Sequence, residues 1–245
     1  MPTFFVKREN ISGDTAVLSG TEAGHMLRTL RLRTGDSFYS FDEEGHRYRM
    51  RIIEATSRSL RAEVLESFPP EPPPDVAITL LVGLPKADKM DFILEKATEL
   101  GCSRVIPFRS SRTIPRLEAQ DVKRRLLRWE RIALSAAKQC GSGRVPDISP
   151  LLPFPEALRA AASAEGKVIL YEGEGRFGLK KTLAGLSGAK NVALLIGPEG
   201  GFSEDEVAEA ERAGFLRAGL GSRILRVETA AVAALGMTMY HFEKI

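Results

Sequence analysis

The sequence predicts an α/β protein in two parts, a small β-barrel followed by a larger α/β domain. Five prolines within residues 68–75 exclude a helix interior or a central strand and favour a stiff, extended connector. Short segments of alternating polarity precede this connector, and apolar strands alternating with helices follow it. Of the 245 residues, 43% are hydrophobic, which is enough for a packed core. We therefore expect domains at residues 1–72 and 73–245.

The first part carries five segments that alternate in polarity, as half-buried strands do. Glycine turns at Gly13, Gly35 and Gly45 separate several of them. One helix is expected, at residues 22–32. The predicted strands are residues 4–6, 15–18, 37–41, 48–53 and 60–65. Together these elements predict a small barrel.

The second part alternates strands with helices. Several strands are continuous apolar runs, which suit strands buried on both faces of a mostly parallel sheet. Asp88 is expected to cap the first helix and Gly101 to end it. The predicted strands are residues 76–83, 104–108, 167–171, 192–196 and 216–220. The predicted helices are residues 88–100, 117–139, 155–162, 203–213 and 229–241. In such a domain, ligands bind at the carboxyl ends of the strands.

Composition narrows the class of protein. The two cysteines, Cys102 and Cys140, are too few for a disulfide framework and lack metal-ligand spacing, so we expect a reducing cytosol and no metal. Lys7 and Arg8 interrupt the amino terminus before a signal-peptide core develops, and no apolar run is long enough to span a membrane. The sequence therefore predicts a cytoplasmic protein with no membrane partner.

Positive charge is concentrated in one segment. The formal net charge is only +3, yet residues 102–145 hold eleven Lys or Arg against three Asp or Glu. Such a segment favours a polyanionic partner, although a solvated helix face explains the charge about equally well. In the first part, His25, Arg28 and Arg31 share the predicted helix, and Arg47, Arg49 and Arg51 share one face of a strand. Both sets suit either nucleic-acid contacts or ordinary polar surfaces.

The stretch LLIGPEGGFSEDE, residues 194–206, follows a predicted strand. Its glycines allow close approach of a ligand to bare backbone, and Ser203 with Glu206 predicts a capping box for the next helix. The stretch is neither a dinucleotide fingerprint nor a Walker loop, and Glu199 would repel a phosphate. It therefore favours a nucleoside-like ligand without phosphate, while a plain strand-to-helix turn is the alternative.

A second glycine loop lies in LGSRILRVETAAVAAL, residues 220–235, after the next predicted strand. Because both loops follow consecutive predicted strands, we expect them to form one pocket. Ile224 and Leu225 suit the flanks of an adenine ring, and Arg226 suits a phosphate or a base. Glu228 equally suits the positive end of a helix, with Thr229 as its N-cap.

In these residues, the sequence resembles the RsmE family of 16S rRNA uracil-N3 methyltransferases in the SPOUT superfamily. The resemblance rests on four blocks in the right order and spans nearly the whole chain. The blocks are LPKADKMDFILEKATELG, RWERIALSAAKQC, LLIGPEGGFS and GSRILRVETA.

The resemblance implies a PUA-like β-barrel for RNA, followed by a SPOUT-type α/β domain tied in a trefoil knot, and a homodimer. It also implies S-adenosyl-L-methionine bound against the two glycine loops. The cofactor-binding residues implied are Leu195, Ile196, Gly197, Pro198, Glu199, Gly200, Leu220, Gly221, Ile224, Leu225, Arg226, Thr229 and Ala230.

The implied reaction is methylation of N3 of a uridine in 16S rRNA, on the 30S ribosomal subunit. Arg226 and Glu228 are the candidate catalytic residues, for charge stabilisation and proton removal. The candidate RNA-binding residues are His25, Arg28, Arg31, Lys86, Lys89, Arg109, Arg112, Arg116, Lys123 and Arg124. This chain departs from the usual family pattern at Thr3, at Ala87 and at residues 142–143, which affects the expected RNA contacts more than methyl transfer.

Two other classes of function remain open at this point. A non-catalytic RNA-binding or ribosome-assembly protein would use the same barrel and basic segment, but it would not bind S-adenosyl-L-methionine. A nicotinamide-dependent oxidoreductase would suit a generic α/β domain, although the missing dinucleotide fingerprint argues against it.

Overall fold

The computed structural model describes residues 2–86, 88–113, 119–173 and 176–242. Expectations about Ala87, Arg116 and the first turn of the helix predicted at 117–139 fall outside these ranges. The chain forms two compact units. One contains the residues up to Pro72 together with Ala137–Arg144, and the other contains Pro73–Ala136 and Val145 onward. The segment Ala137–Arg144 thus groups with the first unit, although it follows the connector in sequence.

The first unit is built on a six-stranded sheet. Its strands are β1 (Thr3–Phe5), β2 (Ile11–Ser12), β3 (Thr15–Ser19), β4 (Ser37–Phe41), β5 (Arg47–Ala55) and β6 (Ser59–Phe68), in the order β1-β4-β5-β6-β3-β2. All five predicted strands are present, and the two-residue β2 is additional. The pairing is antiparallel except between β1 and β4. Phe38, Met50 and Leu60 are fully buried in its core.

The helix predicted at residues 22–32 is shorter and of a different kind. Helix α1 (Gly20–Gly24) passes directly into one turn of π-helix (His25–Thr29). The widened turn is closed by the Leu30 N–H, which donates to the His25 carbonyl at 3.0 Å. Arg31 has a φ of 57°, a left-handed conformation that no helix continues. The prediction of a single helix reaching Leu32 was therefore wrong.

The second unit is built on an eight-stranded parallel sheet. Its strands are β7 (Ala77–Gly83), β8 (Arg104–Arg109), β9 (Asp147–Ile148), β10 (Leu152–Pro153), β11 (Gly166–Leu170), β12 (Phe177–Gly178), β13 (Asn191–Ile196) and β14 (Leu216–Gly219). The order is β10-β8-β7-β13-β11-β14-β12, and β9 also pairs with β8. The five predicted strands form its centre. The short strands β9, β10 and β12 were not predicted.

Helices cover both faces of this sheet. They are α2 (Lys89–Glu99), α3 (Ala119–Cys140), α4 (Phe154–Ala160), α5 (Leu179–Ala184), α6 (Glu204–Arg212) and α7 (Val227–Phe242). Leu80 packs into the apolar cluster on the α2 and α7 side, while Leu81 packs into the cluster on the α4 and α6 side. Burial on both faces explains the continuous apolar runs, as predicted. Within the described ranges, no helix has both the length and the apolar character needed to cross a membrane.

The helix ends agree only partly with the sequence prediction. Gly101, with a φ of 79°, ends α2, and the Cys102 N–H donates to the Ala97 carbonyl at 2.9 Å. Asp88 occupies the N-cap position of α2, but its side chain makes no capping hydrogen bond. Helix α7 begins at Val227, so Thr229 lies inside the helix and is not its N-cap. Glu228 lies in the first turn, where a negative charge is favoured.

Candidate functional site

A cavity of about 560 Å³ opens at the carboxyl ends of the parallel strands. Its walls come from the loops that follow β11, β13 and β14. The prediction that the two glycine loops form one pocket is confirmed. However, β13 and β14 are not neighbours in the sheet, because β11 lies between them. The two glycine loops therefore face each other across the end of β11.

The loop after β11 is a third wall that the sequence analysis missed. Tyr171, Glu172 and Arg176 all line the cavity. The guanidinium of Arg176 donates to the carbonyls of Glu172 and Gly173, which ties this loop to itself. The predicted strand at residues 167–171 ends next to these residues, so the rule that ligands lie beyond carboxyl ends points to this part of the chain, but it does not say which strand ends share one cavity.

Close backbone approaches explain several glycines around the cavity. A Cβ at Gly83, the last residue of β7, would lie 2.5 Å from the Pro198 nitrogen. A Cβ at Gly219 would lie 2.5 Å from Nε of Arg176. At Gly83 the Pro198 backbone cannot give way, whereas at Gly219 the Arg176 side chain would have to move. Gly201 has a φ of 67° and turns the chain towards α6, where the Ser203 and Glu206 capping box is confirmed.

Glu199 fastens the first glycine loop to the start of α2. Its Oε1 accepts from the Lys86 N–H at 3.1 Å and from Lys89 Nζ at 2.9 Å. Burial pushes the pKa of the Glu199 carboxyl upward, but the hydrogen bonds from Lys89 and from backbone N–H groups outweigh burial and lower it. The acid in the glycine loop thus has a structural partner, and it remains ionised.

A second set of contacts holds the same loop from the β8 side. Arg112 Nη1 donates to the Gly200 carbonyl at 3.1 Å. The buried Glu206 carboxylate accepts from the Ser111 N–H at 2.7 Å and from the Ser203 N–H at 2.9 Å. Contacts within the protein therefore hold the loop from both sides.

The second glycine loop is more open. Gly221 has a φ of 105°, and Ile224 is 81% exposed at the cavity wall. Arg226 is exposed, and its side chain forms no hydrogen bond or ion pair with any residue that the structure describes. Two residues further along the chain, Oε2 of Glu228 lies 3.4 Å from Nζ of Lys89. An exposed cation thus lines this wall, and an ion-paired carboxylate lies two residues further along the chain.

Most of the implied cofactor-binding residues line the cavity. These are Ile196, Gly197, Pro198, Glu199, Leu220, Gly221, Ile224, Leu225, Arg226 and Ala230. Three others do not line it. Leu195 is buried in the apolar core, Gly200 contacts Arg112, and Thr229 is exposed on α7. Of the two candidate catalytic residues, Arg226 lines the cavity and Glu228 lies behind Lys89.

The candidate RNA-binding residues of the first unit, His25, Arg28 and Arg31, are all exposed. The arginines of β5 are in a different situation. Each pairs with a glutamate: Arg47 with Glu71, Arg49 with Glu66 and Arg51 with Glu63. Their charge is locally neutralised, which favours an ordinary ion-paired strand face over a phosphate contact.

In the second unit, Lys86, Arg109 and Lys123 are exposed, with no ion pair among the described residues. Arg124 is exposed and pairs with Asp121 at 2.7 Å. Arg112 is bound to the Gly200 carbonyl, and Lys89 is bound to Glu199. Apart from Arg124, these basic residues therefore divide into cations without an ion pair among the described residues and cations that hold the cavity loops.

The chain is similar to known proteins over most of its length. A family model of the RNA methyltransferase domain matches residues 71–239. The chain is 31% identical to the ribosomal RNA small subunit methyltransferase E of Mycobacterium bovis, covering 95% of this chain and 89% of that protein. It is 28% identical to the protein of that name from Bacillus subtilis, covering 99% and 98%.

A solved structure is also similar over nearly the full length. It is a ribosomal RNA small subunit methyltransferase E from Neisseria gonorrhoeae bound to S-adenosyl methionine. The identity is 32% and the TM-score 0.87, with 98% of this chain and 97% of that chain covered. On this evidence, the chain belongs to the ribosomal RNA small subunit methyltransferase E family.

Proposed function

We propose that this protein is an S-adenosylmethionine-dependent methyltransferase that modifies N3 of a uridine in 16S rRNA, with the 30S subunit as substrate. The observation that carries the proposal is the cavity of exposed backbone and apolar side chains at the ends of three parallel strands. Family membership and a relative that binds S-adenosyl methionine support the same reading.

The cavity suits this cofactor. Its volume falls within the ~300–1,000 Å³ typical of small-molecule sites. Bare backbone at Gly197, Gly219 and Gly221 offers N–H and C=O groups to an adenosine, and Ile196 and Leu225 offer apolar flanks to its base. When bound, the cofactor supplies an electrophilic methyl group on a sulfonium. The chain itself must orient the uridine and manage the proton on its N3.

Two residues are assigned to act on the uridine and on its N3 proton. Glu228 is a carboxylate fixed in the first turn of α7, and it is assigned to accept the N3 proton. Arg226 is exposed and unpaired among the described residues, so its guanidinium is free to stabilise the uridine anion or to grip a neighbouring phosphate. Positioning of the uridine against the bound cofactor supplies much of the remaining acceleration.

The remaining RNA contacts are assigned to exposed basic residues that form no ion pair with the described residues. Lys86, Arg109 and Lys123 of the second unit hold phosphates, and His25, Arg28 and Arg31 contribute from the first unit. The six-stranded sheet is proposed to be the PUA-like barrel, residues 1–72, and residues 73–245 the SPOUT domain with its trefoil knot. The chain is proposed to act in the cytoplasm, where ribosomal subunits are assembled.

A homodimer is proposed through the outer face of α7. Met237 is 52% exposed and Tyr240 74% exposed, and they lie three residues apart on one side of the helix. Ala233 continues this side one turn earlier. Leu235 is fully buried in the apolar core on the other side of α7, so it is not part of this face. Exposed apolar residues of this size in a row are typical of a surface that another chain covers.

The deciding experiment is transfer of labelled methyl from S-adenosylmethionine to unmethylated 30S subunits and, in parallel, to naked 16S rRNA. The product is digested to nucleosides and identified. We expect 3-methyluridine, formed faster on the subunit. A different labelled nucleoside would overturn the acceptor assignment, and equal rates on both substrates would overturn the preference for the particle. Absence of cofactor binding by calorimetry would overturn the enzymatic assignment.

A further inference from the structure

Lys89 occupies an unusual position among the basic residues. It is the first residue of α2, its side chain lines the cavity, and its ammonium meets two carboxylates from different parts of the chain. Nζ lies 2.9 Å from Oε1 of Glu199, in the loop after β13, and 3.4 Å from Oε2 of Glu228, in α7. One cation therefore connects three elements of the second unit.

A lysine in this setting is a poor ligand for phosphate. The two glutamates outnumber the single ammonium, so the cluster as a whole is negative and repels an approaching phosphate. Hydrogen bonding to Glu199, and then the charges of both glutamates, raise the pKa of Lys89, so its ammonium is retained. Lys86 is different. Only its backbone N–H contacts Glu199, and its exposed ammonium has no ion pair among the described residues.

Glu228 depends on Lys89 for its charge compensation. Its Oε2 is buried and accepts no hydrogen bond from any described group, so the Lys89 ion pair is its compensating contact. Helix α7 packs against α2, α5, β7 and β13. Strands β7 and β13 carry no titratable side chain, and Lys180 and Lys181 of α5 are exposed and make no described contact with Glu228. Without Lys89, the two carboxylates would face each other with no cation between them.

We infer that Lys89 is a positioning residue, which holds the Glu228 carboxylate in place beside the cavity, and that it does not bind RNA. The inference rests on the proposed function, because it concerns the residue assigned to accept the N3 proton. If Lys89 is lost, repulsion between Glu199 and Glu228 is relieved when one carboxylate turns away. The Glu228 carboxylate is then less well placed to accept a proton from the uridine.

The test compares four single variants with the wild-type chain. Lys89→Met removes the cation, and Lys89→Arg keeps it. Lys86→Met removes a charge just before α2 without removing the N–H that binds Glu199. Lys96→Met is the matched control, because Lys96 lies on the same helix and also pairs with two glutamates, Glu95 and Glu99. For each, RNA affinity is measured across salt concentrations, and methyl transfer is measured in single turnovers at saturating RNA.

We expect Lys89→Met to slow single-turnover transfer at least ~10-fold, since a correctly placed base contributes about 10²–10⁴-fold. Its RNA dissociation constant and salt dependence should match the wild type, and Lys89→Arg should restore most of the rate. Lys86→Met should weaken RNA binding and reduce the slope of log affinity against log salt by about 0.7–0.9. Lys96→Met should change neither property. If Lys89→Met instead weakens RNA binding and lowers the salt slope as Lys86→Met does, Lys89 is a phosphate ligand and the inference is wrong.

A measurement on the protein without RNA distinguishes failure of this inference from failure of the proposed function. Titration of the Glu199 carboxyl by NMR should show its pKa rising in Lys89→Met and remaining low in Lys86→Met. An unchanged pKa of Glu199 in Lys89→Met would overturn the positioning role, whatever the activity. If the wild-type chain methylates no RNA while the pKa of Glu199 still rises in Lys89→Met, the proposed function is overturned, and with it the role of Lys89 in turnover, but the ion-pair bridge remains.

Discussion

At the scale of single residues, Glu228 is the most informative position for the chemistry. Replacing its carboxylate with an amide of the same shape removes the proposed proton acceptor without opening space. We expect Glu228→Gln to lower the single-turnover rate about 10²-fold or more, as loss of a general base does. Calorimetry should show unchanged affinity for S-adenosylmethionine. Full turnover by this variant would exclude Glu228 as the base.

Asp42 in the first unit is expected to contribute to the stability of the fold and not to methyl transfer. Its buried carboxylate accepts from the Tyr48 hydroxyl at 2.8 Å and from the N–H groups of Glu44 and His46 at 3.0 and 2.9 Å. Burial raises the pKa of Asp42, but these hydrogen bonds outweigh it and lower the pKa below its usual value. Burial and the hydrogen bond to Asp42 also raise the pKa of Tyr48, to about 12.

The direction of the pH effect follows from the lowered pKa of Asp42. A carboxyl whose folded pKa lies below its unfolded pKa stabilises the fold above the unfolded value, near pH 4, and this contribution is lost as the pH falls through the folded pKa. We expect Asp42→Asn to reduce the free energy of unfolding by about 1–3 kcal/mol at pH 7. Urea unfolding should show the difference from wild type shrinking below about pH 4. A difference that is independent of pH would contradict this account.

At the scale of elements, Gly83 marks the crossing of β7 under the glycine loop. A methyl group there would overlap the backbone of Pro198, which has no flexible end that can move away. We expect Gly83→Ala to displace the loop, to lower the affinity for S-adenosylmethionine at least ~10-fold, and to lower the melting temperature by several degrees. Gly188→Ala is the matched control, because a Cβ at Gly188 meets nothing within 4 Å. Equal effects of both substitutions would exclude the crossing as the cause.

Elements with a strong local signal could be predicted from the sequence, and elements determined by distant contacts could not. The apolar runs of β7 and β13 predicted buried parallel strands within one residue of their observed ends, and Ser203 with Glu206 predicted the start of α6. The two-residue strand β12 is too short to show the alternation of polar and apolar residues that predicts a strand. The π-helical turn after α1 was hidden because residues 22–32 fit an ordinary helix.

The candidate site shows the same limit. Each glycine loop was recognisable by its own residues, but the order of strands in the sheet is not written in any local pattern. The interposed strand β11, and with it Tyr171, Glu172 and Arg176 as a third wall, therefore went unnoticed. The contacts of Lys89 and Arg112 were also out of reach, because their partners Glu199 and Gly200 lie about 90–110 positions further along the chain.

At the scale of the whole molecule, a small net charge conceals a strongly uneven distribution. The formal charge is only +3, and many surface cations are paired with neighbouring acids. RNA binding should therefore depend on the few cations that remain free near the carboxyl ends of the parallel strands. Arg109, the last residue of β8, is one of these, while Lys190, just before β13, lies at the amino end of the sheet.

These two residues make a matched pair for testing where the RNA lies. Both are exposed, and both have no side-chain ion pair among the described residues. We expect Arg109→Met to weaken RNA binding and to reduce the slope of log affinity against log salt by about 0.7–0.9, because one phosphate contact is lost. Lys190→Met should leave both unchanged, although the net charge falls equally. If the two variants weaken RNA binding equally, the affinity depends on the overall charge of the protein. The proposal that the RNA follows the carboxyl edge of the sheet would then be wrong.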